Sequence, residues 1–415
     1  MNEELEAALG TRVASAHLLP GGASKEAWAI DTADGRELFL RRAMGGVIHQ
    51  HTLSLREEFE LLVAARDAGV TVPEPVAYLG DLDGREAFVV ERLHGETIGR
   101  RIVRDPPPGL GVRLAEELAR IHAIPRDHVH FLPLTDPPAS MRAELDEVGE
   151  PHPAIEYGLA WFEEHRPPPR PEVVTHGDFR IGNVMVADGE LVAILDWEFA
   201  HVGDPVEDLA WPVVRAWRFG ADERRLGGVD DVEPYLTRYA ELTGTEVTPA
   251  ELDAWEVLGN CKWAVGCLNQ ARRHLSGEDR SVELAILGRL AAEQELELLD
   301  LVDRIEGRAR RDAGPPAAVV HDRPSAGELA AAVREFLEGE ILPQLDDHRS
   351  RFRTLVAMNA LTIVERESPP PGERDPSLAR AIRDQGTAAA DPDELRADVE
   401  ARLAVASPRA LERYR

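Results

Sequence analysis

Residues 176–183 read His-Gly-Asp-Phe-Arg-Ile-Gly-Asn, and an apolar run at 191–195 ends in Asp196, Trp197 and Glu198. These types at these spacings offer what phosphoryl transfer needs: a carboxylate, Asp178, to take a proton from a hydroxyl, and an amide, Asn183, with a second carboxylate, Asp196, to share Mg²⁺. A turn must bring the last of these back to the others. Residues 184–186 and 191–195 read as strands around Asp188-Gly189, a strong signal for a two-residue hairpin. That pairing sets Asn183 against Ile194 and Asp196 against Ile181, so Asp196 returns to the neighbourhood of Asn183. Hard cations want oxygen ligands held together, which an open hairpin end provides. Any one of these triplets alone would be an ordinary polar turn; the constellation carries the reading.

The elements around this centre follow from pattern. Strand, glycine turn and strand run from residue 18 to residue 40, with Gly21, Gly22 and Ser24 able to bring backbone and a hydroxyl close to phosphates. Residues 55–68 carry apolar positions at helical spacing and stop at Gly69. The strand at 38–42 ends in Arg41 and Arg42, permanent bidentate phosphate donors, and 86–90 reads as a further strand. Helices are expected at 114–122, 234–242, 252–275 and 282–302, with Trp255, Leu258, Trp263 and Leu268 as core. The segment 307–324, rich in Arg, Ala and Pro, reads as a linker to helices at 326–342, 351–366 and 393–405.

With these residues in view, the chain resembles the aminoglycoside phosphotransferase-like family of small-molecule kinases, whose fold is similar to that of eukaryotic protein kinases. The step from Asp178 to Asn183 matches that of the kinase catalytic loop. The resemblance covers about 13–304 and includes Gly203-Asp204-Pro205 with Asp208-Leu209-Ala210. It implies an α+β, bilobal protein-kinase-like fold with a small β-rich lobe, about 1–93, and a mostly helical lobe, about 94–306. A small all-α domain, 325–415, follows the linker and resembles helical domains of unknown function appended to such kinases. The implied cofactors are ATP and Mg²⁺. Asp178 would be the catalytic base, Asn183 and Asp196 the metal ligands, Asp208 a buried brace for the catalytic loop and His176 structural. Gly21, Gly22 and Ser24 would line the nucleotide, Arg41 would contact its phosphates in a pair with Glu58, and backbone near Glu91 and Leu93 would hold adenine. A strand arginine replaces the usual protein-kinase lysine.

Asp208 lies only twelve positions after Asp196, too short an interval for an activation loop and a peptide platform. Trp197 and Glu198 also stand where protein kinases have Phe and Gly. The expected acceptor is therefore a small-molecule hydroxyl. Because the match looks most like the kinase-like half of acyl-CoA dehydrogenase fusion proteins, a hydroxyacyl-type metabolite or CoA thioester is favoured, with Arg215, Arg218, Arg224 and Arg225 available to CoA phosphates. The alternatives are an aminoglycoside or other antibiotic phosphotransferase, and a nucleotide-binding pseudokinase whose C-terminal helices dock a protein partner.

Bulk properties narrow the setting. At 415 residues the chain should hold two or three domains, and its net charge of −29 disfavours nucleic acid or an anionic membrane as partner. No apolar stretch reaches the ~20 residues of a membrane span, and the acidic start is unlike a signal peptide, so a cytoplasmic location is expected. Cys261 and Cys267 lack metal or redox spacing and read as core residues. A chain ended near Arg310 should stay folded if 307–324 is an exposed boundary.

Overall fold

The computed structural model describes residues 2–19, 25–43 and 52–414, so Gly21, Gly22 and Ser24 lie outside the described residues. The chain forms two compact units, 1–135 with 168–255, and 136–167 with 256–415. No helix among the described residues is long and apolar enough to cross a membrane.

The first unit opens with the helix Asn2–Leu9 and an antiparallel sheet of β1 (Val13–Leu19), β2 (Lys25–Thr32), β3 (Glu37–Ala43), β4 (Pro75–Asp81) and β5 (Glu86–Glu91), in the order β1-β2-β3-β5-β4. Alternation decides which face is buried: Ile30, Leu38, Leu40, Ala87 and Val89 pack with Leu5, Leu9 and Leu82 into one core. The helix Leu55–Asp67 follows the sequence pattern because Ser54 caps it. The Glu57 N–H donates to Ser54 Oγ at 3.2 Å, and the Glu57 carboxylate accepts from the Ser54 N–H at 2.8 Å. Phe59 on this helix packs on Phe88, ring centroids 5.8 Å apart, which turns Glu58 toward the sheet's functional edge and leaves it 1% exposed.

The segment that carries Asp178, Asn183 and Asp196 is built from short pieces: β6 (Val173–Thr175) pairs β9 (His201–Gly203), and β7 (Val184–Ala187) pairs β8 (Glu190–Ile194). Asp188 and Gly189 both have positive φ, +51° and +79°, the geometry a two-residue hairpin turn of matching twist requires. Beside this turn the expected register holds, with Ala187 opposite Glu190 and Val186 opposite Leu191. Beyond it a bulge leaves Val192 as the extra residue, so Met185 faces Ala193 and Val184 faces Ile194. Asn183 therefore does not face Ile194 as expected; its carbonyl accepts from the Leu195 N–H at 2.8 Å. The slip of one residue still ends the hairpin with Asp196 beside Asn183.

The second unit holds the helices Pro137–Val148 and Pro153–Glu164, most of Pro249–Ser276, then Val282–Leu287, Ala291–Glu306, Ala326–Phe336, His348–Glu367, Ser377–Gln385 and Pro392–Ala406. The single helix expected over 282–302 is broken at Gly288. An added Cβ there would sit 2.4 Å from the Arg323 carbonyl oxygen, so backbone approaches closely. Cys261 and Cys267 are buried and free, and burial pushes both thiols up. Of the four residues expected in the core, Trp255, Leu258 and Leu268 are buried and Trp263 is half-buried.

Residues 307–324 are not uniformly exposed. Asp322 is 1% exposed and is held by Arg374 and by Arg402, at 2.9 Å from Arg402. Arg402, also buried, reaches Glu295 at 2.5 Å, and Glu295 meets His152 Nδ1 at 2.9 Å. His152, Glu295 and Asp322 present ligand atoms within 4.8 Å of one another. Two arginines already balance the two carboxylates, so this cluster needs no metal for neutrality. The division of the chain at 307–324 remains a proposal.

Candidate active site

Asp208 anchors the loop that carries Asp178. It is 0% exposed; Oδ2 accepts from the His176 N–H at 2.6 Å and Oδ1 from the Gly177 N–H at 2.9 Å. His122 Nε2 lies 3.3 Å from Oδ2, and Tyr239 Oη holds His122 Nδ1 at 2.7 Å. Burial opposes ionisation of Asp208, but His122 and the amide donors outweigh it and hold the carboxyl below its ordinary value. Gly177 has φ +76°, and an added Cβ would lie 2.2 Å from the Phe199 carbonyl oxygen, so only glycine fits between these strands.

His176 is fully buried, and burial pushes its pKa down. Its Nδ1 accepts from the Asp178 N–H at 3.2 Å, so the ring proton sits on Nε2 and is donated to the Leu195 carbonyl at 3.1 Å. This neutral ring joins the loop at Asp178 to the strand end at Asp196.

Every hydrogen bond to the Asp178 carboxylate comes from a donor. Trp211 Nε1 lies 2.7 Å from Oδ1, Arg180 Nε 3.0 Å from Oδ1 and Asn183 Nδ2 2.6 Å from Oδ2. Arg180 is itself placed by the Trp217 ring, 4.5 Å from guanidinium to centroid. Asn183 spends its amide N–H₂ on Asp178, donating also to the backbone carbonyl at 2.9 Å, which leaves its side-chain oxygen as the atom a cation would meet.

A second cluster completes the site. Arg41 on β3 reaches Glu58 at 2.5 Å, Asp196 at 3.0 Å and Glu198 at 3.7 Å, while Lys25 on β2 reaches Glu58 at 2.9 Å and Glu198 at 2.8 Å. Burial works against Asp196, yet the Arg41 guanidinium holds its carboxyl below the ordinary range. Burial and the adjacent Asp196 charge push Glu198 up, against the pull of Lys25. Asp196 has φ +65°, the left-handed region that few residues besides glycine adopt and that aspartate enters more readily than most.

The structure thus brings Asp178, Asn183, His176 and Asp208 into one hydrogen-bonded group and Arg41, Glu58 and Asp196 into another, linked through His176 and Leu195. Glu91 ends β5 with its N–H given to the Glu74 carbonyl at 2.9 Å, and Leu93 lies just beyond. Sequence reasoning did not single out Lys25, Arg180, Trp211, Glu198 or His122 as site residues. Lys25 and Glu198 had a signal, one lysine in the first 261 residues and an acid two places after Asp196. Trp211 sits in an apolar run and looks like core.

Sheet, bulged hairpin and carboxylate-centred loop define the class: a kinase-like phosphotransferase fold. The chain belongs to the phosphotransferase enzyme family, whose profile matches residues 15–242. A protein assigned to the aminoglycoside phosphotransferases from Ralstonia eutropha JMP134 superposes with a TM-score of 0.59 at 17% identity, covering 75% of this chain and 99% of that one. A spectinomycin phosphotransferase solved with ADP and spectinomycin gives a TM-score of 0.50 at 16% identity, covering 67% of this chain and 88% of that one. At such identities the likeness shows the fold, which is the one expected. Among curated proteins, mouse acyl-CoA dehydrogenase family member 10 is 27% identical over 254 residues, 52% of this chain and 23% of that protein. Chicken acyl-CoA dehydrogenase family member 11 is 26% identical over 298 residues, 64% of this chain and 38% of that protein. The chain therefore matches well under half the length of these relatives.

Proposed function

We propose that this chain transfers the γ-phosphate of ATP, with Mg²⁺, to the hydroxyl of a small hydroxyacyl-type molecule. The observation that carries the reading is a carboxylate, Asp178, ringed by donors and joined by one hydrogen-bonded group to an oxygen-bearing cluster. The donor set suits a hard cation: the Asn183 side-chain oxygen, Asp196 and the nearby Glu198 are all oxygen ligands. Arg41 and Lys25 supply cations for phosphates, which a catalytic site for phosphoryl transfer requires. Bound Mg²⁺ supplies neutralisation of charge on the transferring phosphoryl group.

Asp178 takes the acceptor hydroxyl's proton as that oxygen bonds to the γ-phosphorus. The bond from phosphorus to the bridging oxygen breaks, and ADP leaves with the electron pair. Trp211 and Arg180 hold the carboxylate's orientation throughout. A site so arranged is not that of an inert pseudokinase, since base, amide and second carboxylate are all in place.

The acceptor class rests on the kinase-like segments of the acyl-CoA dehydrogenase relatives. The four arginines considered for CoA phosphates are already engaged: Arg215 with Asp222 at 2.8 Å, Arg218 with the Val213 carbonyl at 2.7 Å, Arg224 with the Val103 carbonyl at 2.9 Å, and Arg225 with Asp253. The hydroxyacyl portion, not the CoA phosphates, therefore carries the proposal. ADP release measured over free hydroxy acids, hydroxyacyl-CoA thioesters and aminoglycosides tests it, with turnover of hydroxy acids or their thioesters expected. Turnover of an aminoglycoside alone would overturn the acceptor class and keep the kinase.

Asp196→Ala should weaken MgATP binding by at least about tenfold, because a carboxylate ligand is lost next to Arg41. Calorimetry giving an unchanged affinity would remove Asp196 from the metal's ligand set.

A further inference from the structure

Arg180 offers more than a brace for Asp178. Only its Nε meets that carboxylate, at 3.0 Å from Oδ1 and 3.3 Å from Oδ2. The outer nitrogens, Nη1 and Nη2, donate to no group among the described residues, and the side chain keeps 25% of its surface exposed. A guanidinium is a planar fork of donors. With Nε fixed on Asp178 and one face on the buried Trp217 ring, the edge formed by Nη1 and Nη2 remains available for a second, bidentate partner. Glycine makes this placement possible, because a Cβ on Gly182 would lie 2.1 Å from Nη1. The fork therefore lies across the loop between Asp178 and Asn183, beside the proposed base.

Two features say what meets that edge. The Asp178 oxygens have different neighbours: Asn183 holds Oδ2 at 2.6 Å on the side proposed for the metal, while Trp211 and Arg180 hold Oδ1. Arg180 takes no part in the cluster of Arg41 and Lys25 proposed for nucleotide phosphates. The neighbouring surface is also apolar. Phe219 is 37% exposed at φ +49°, an outlier for so bulky a residue, and Gly220 follows at +92°. This turn lays the Phe219 ring on Gly99, where an added Cβ would be 2.6 Å from Cε2 of the ring and 3.5 Å from the Gly182 nitrogen. A phenyl ring so close to a fork of cationic donors suits a molecule with an anionic head and an aliphatic body. It suits neither nucleotide phosphates nor a polycationic aminoglycoside.

We infer that Arg180 clamps the carboxylate of the acceptor, which is a free hydroxy acid with its hydroxyl a few bonds from that carboxylate and its aliphatic chain against Phe219. This rests on the reading of the chain as a hydroxyacyl kinase and narrows it, since a CoA thioester has no carboxylate to offer. One side chain then orients both reactants: Nε fixes the base, and Nη1 and Nη2 fix the acceptor whose hydroxyl that base must reach.

Steady-state ADP release with 3-hydroxyoctanoate, its neutral amide, its CoA thioester and kanamycin tests the clamp. The parent chain should favour the acid over the amide by at least about tenfold in kcat/KM, the scale of a hydrogen bond to a charged group. Arg180→Gln should erase that preference by raising KM for the acid while KM for ATP stays unchanged, a split that a merely loosened loop would not give. Octanoate, which lacks the hydroxyl, reads the clamp without turnover: calorimetry should show it binding the parent chain and not Arg180→Gln. Phe219→Asn should narrow the advantage of 3-hydroxyoctanoate over 3-hydroxybutanoate. Turnover of the thioester without the free acid overturns the clamp and leaves the hydroxyacyl kinase standing; turnover of kanamycin alone overturns both. Octanoate bound equally by both chains overturns the clamp, as does an Arg180→Gln chain in which only KM for ATP rises, which would assign the fork to the nucleotide. A chain-length advantage unmoved in Phe219→Asn overturns the placement of the aliphatic body.

Discussion

Asp178→Asn is expected to reduce kcat by ~10²- to 10⁴-fold while KM for ATP changes little, because a general base acts in the transition state and not in nucleotide binding. Geometry sharpens the expectation. The Asp178 oxygens accept from Trp211, Arg180 and Asn183, so an amide must turn its N–H₂ toward a donor and lose at least one of these bonds. Steady-state kinetics should accordingly be run beside thermal melting, so that a lost base is distinguished from a loosened loop. A kcat close to that of the parent chain would take the role of base away from Asp178.

Arg402→Met should cost about 3–5 kcal/mol of stability, the range for removing one partner of a buried ion pair. Arg402 is 1% exposed and serves Glu295, Asp322 and Asp398 together. Without it two buried carboxylates share only Arg374 and His152. Burial disfavours the charged form of Asp322, but Arg402 and Arg374 hold its carboxyl well below the ordinary value. Its contribution is therefore complete above the ordinary carboxylate pKa and fades as pH falls toward the depressed one. The gap in melting temperature between parent and variant should narrow on acidification; a gap independent of pH would deny the cluster its electrostatic role. The same cluster bears on truncation near Arg310, which removes Asp322, Arg374 and Arg402 at once and leaves Glu295 with His152.

Local chemistry was legible in the sequence where it depends on neighbours in the chain. Asp188-Gly189 specified its own turn, and the periodicity before Gly69 its own helix. The bulge at Val192 was not legible, because hairpin patterning fixes the turn and not an extra residue four positions away. Arg41 with Glu58 could be paired through the resemblance, whereas Lys25 meets Glu198 across 173 residues of chain with no spacing to announce it. Trp211 was hidden for another reason: an indole N–H aimed at a carboxylate and an indole filling a core have the same neighbours in sequence.

Arg41 and Lys25 stand against Glu58, Asp196 and Glu198, two positive groups against three negative ones. A bare nucleotide polyanion entering this cluster must draw Arg41 away from Asp196 and leave that carboxylate facing phosphate oxygens. If Asp196 held a divalent ion, as the proposed function has it, that repulsion would be removed and the guanidinium freed for phosphate. Nucleotide and metal would then be linked through Arg41, each tightening the other by the same factor whichever is added first.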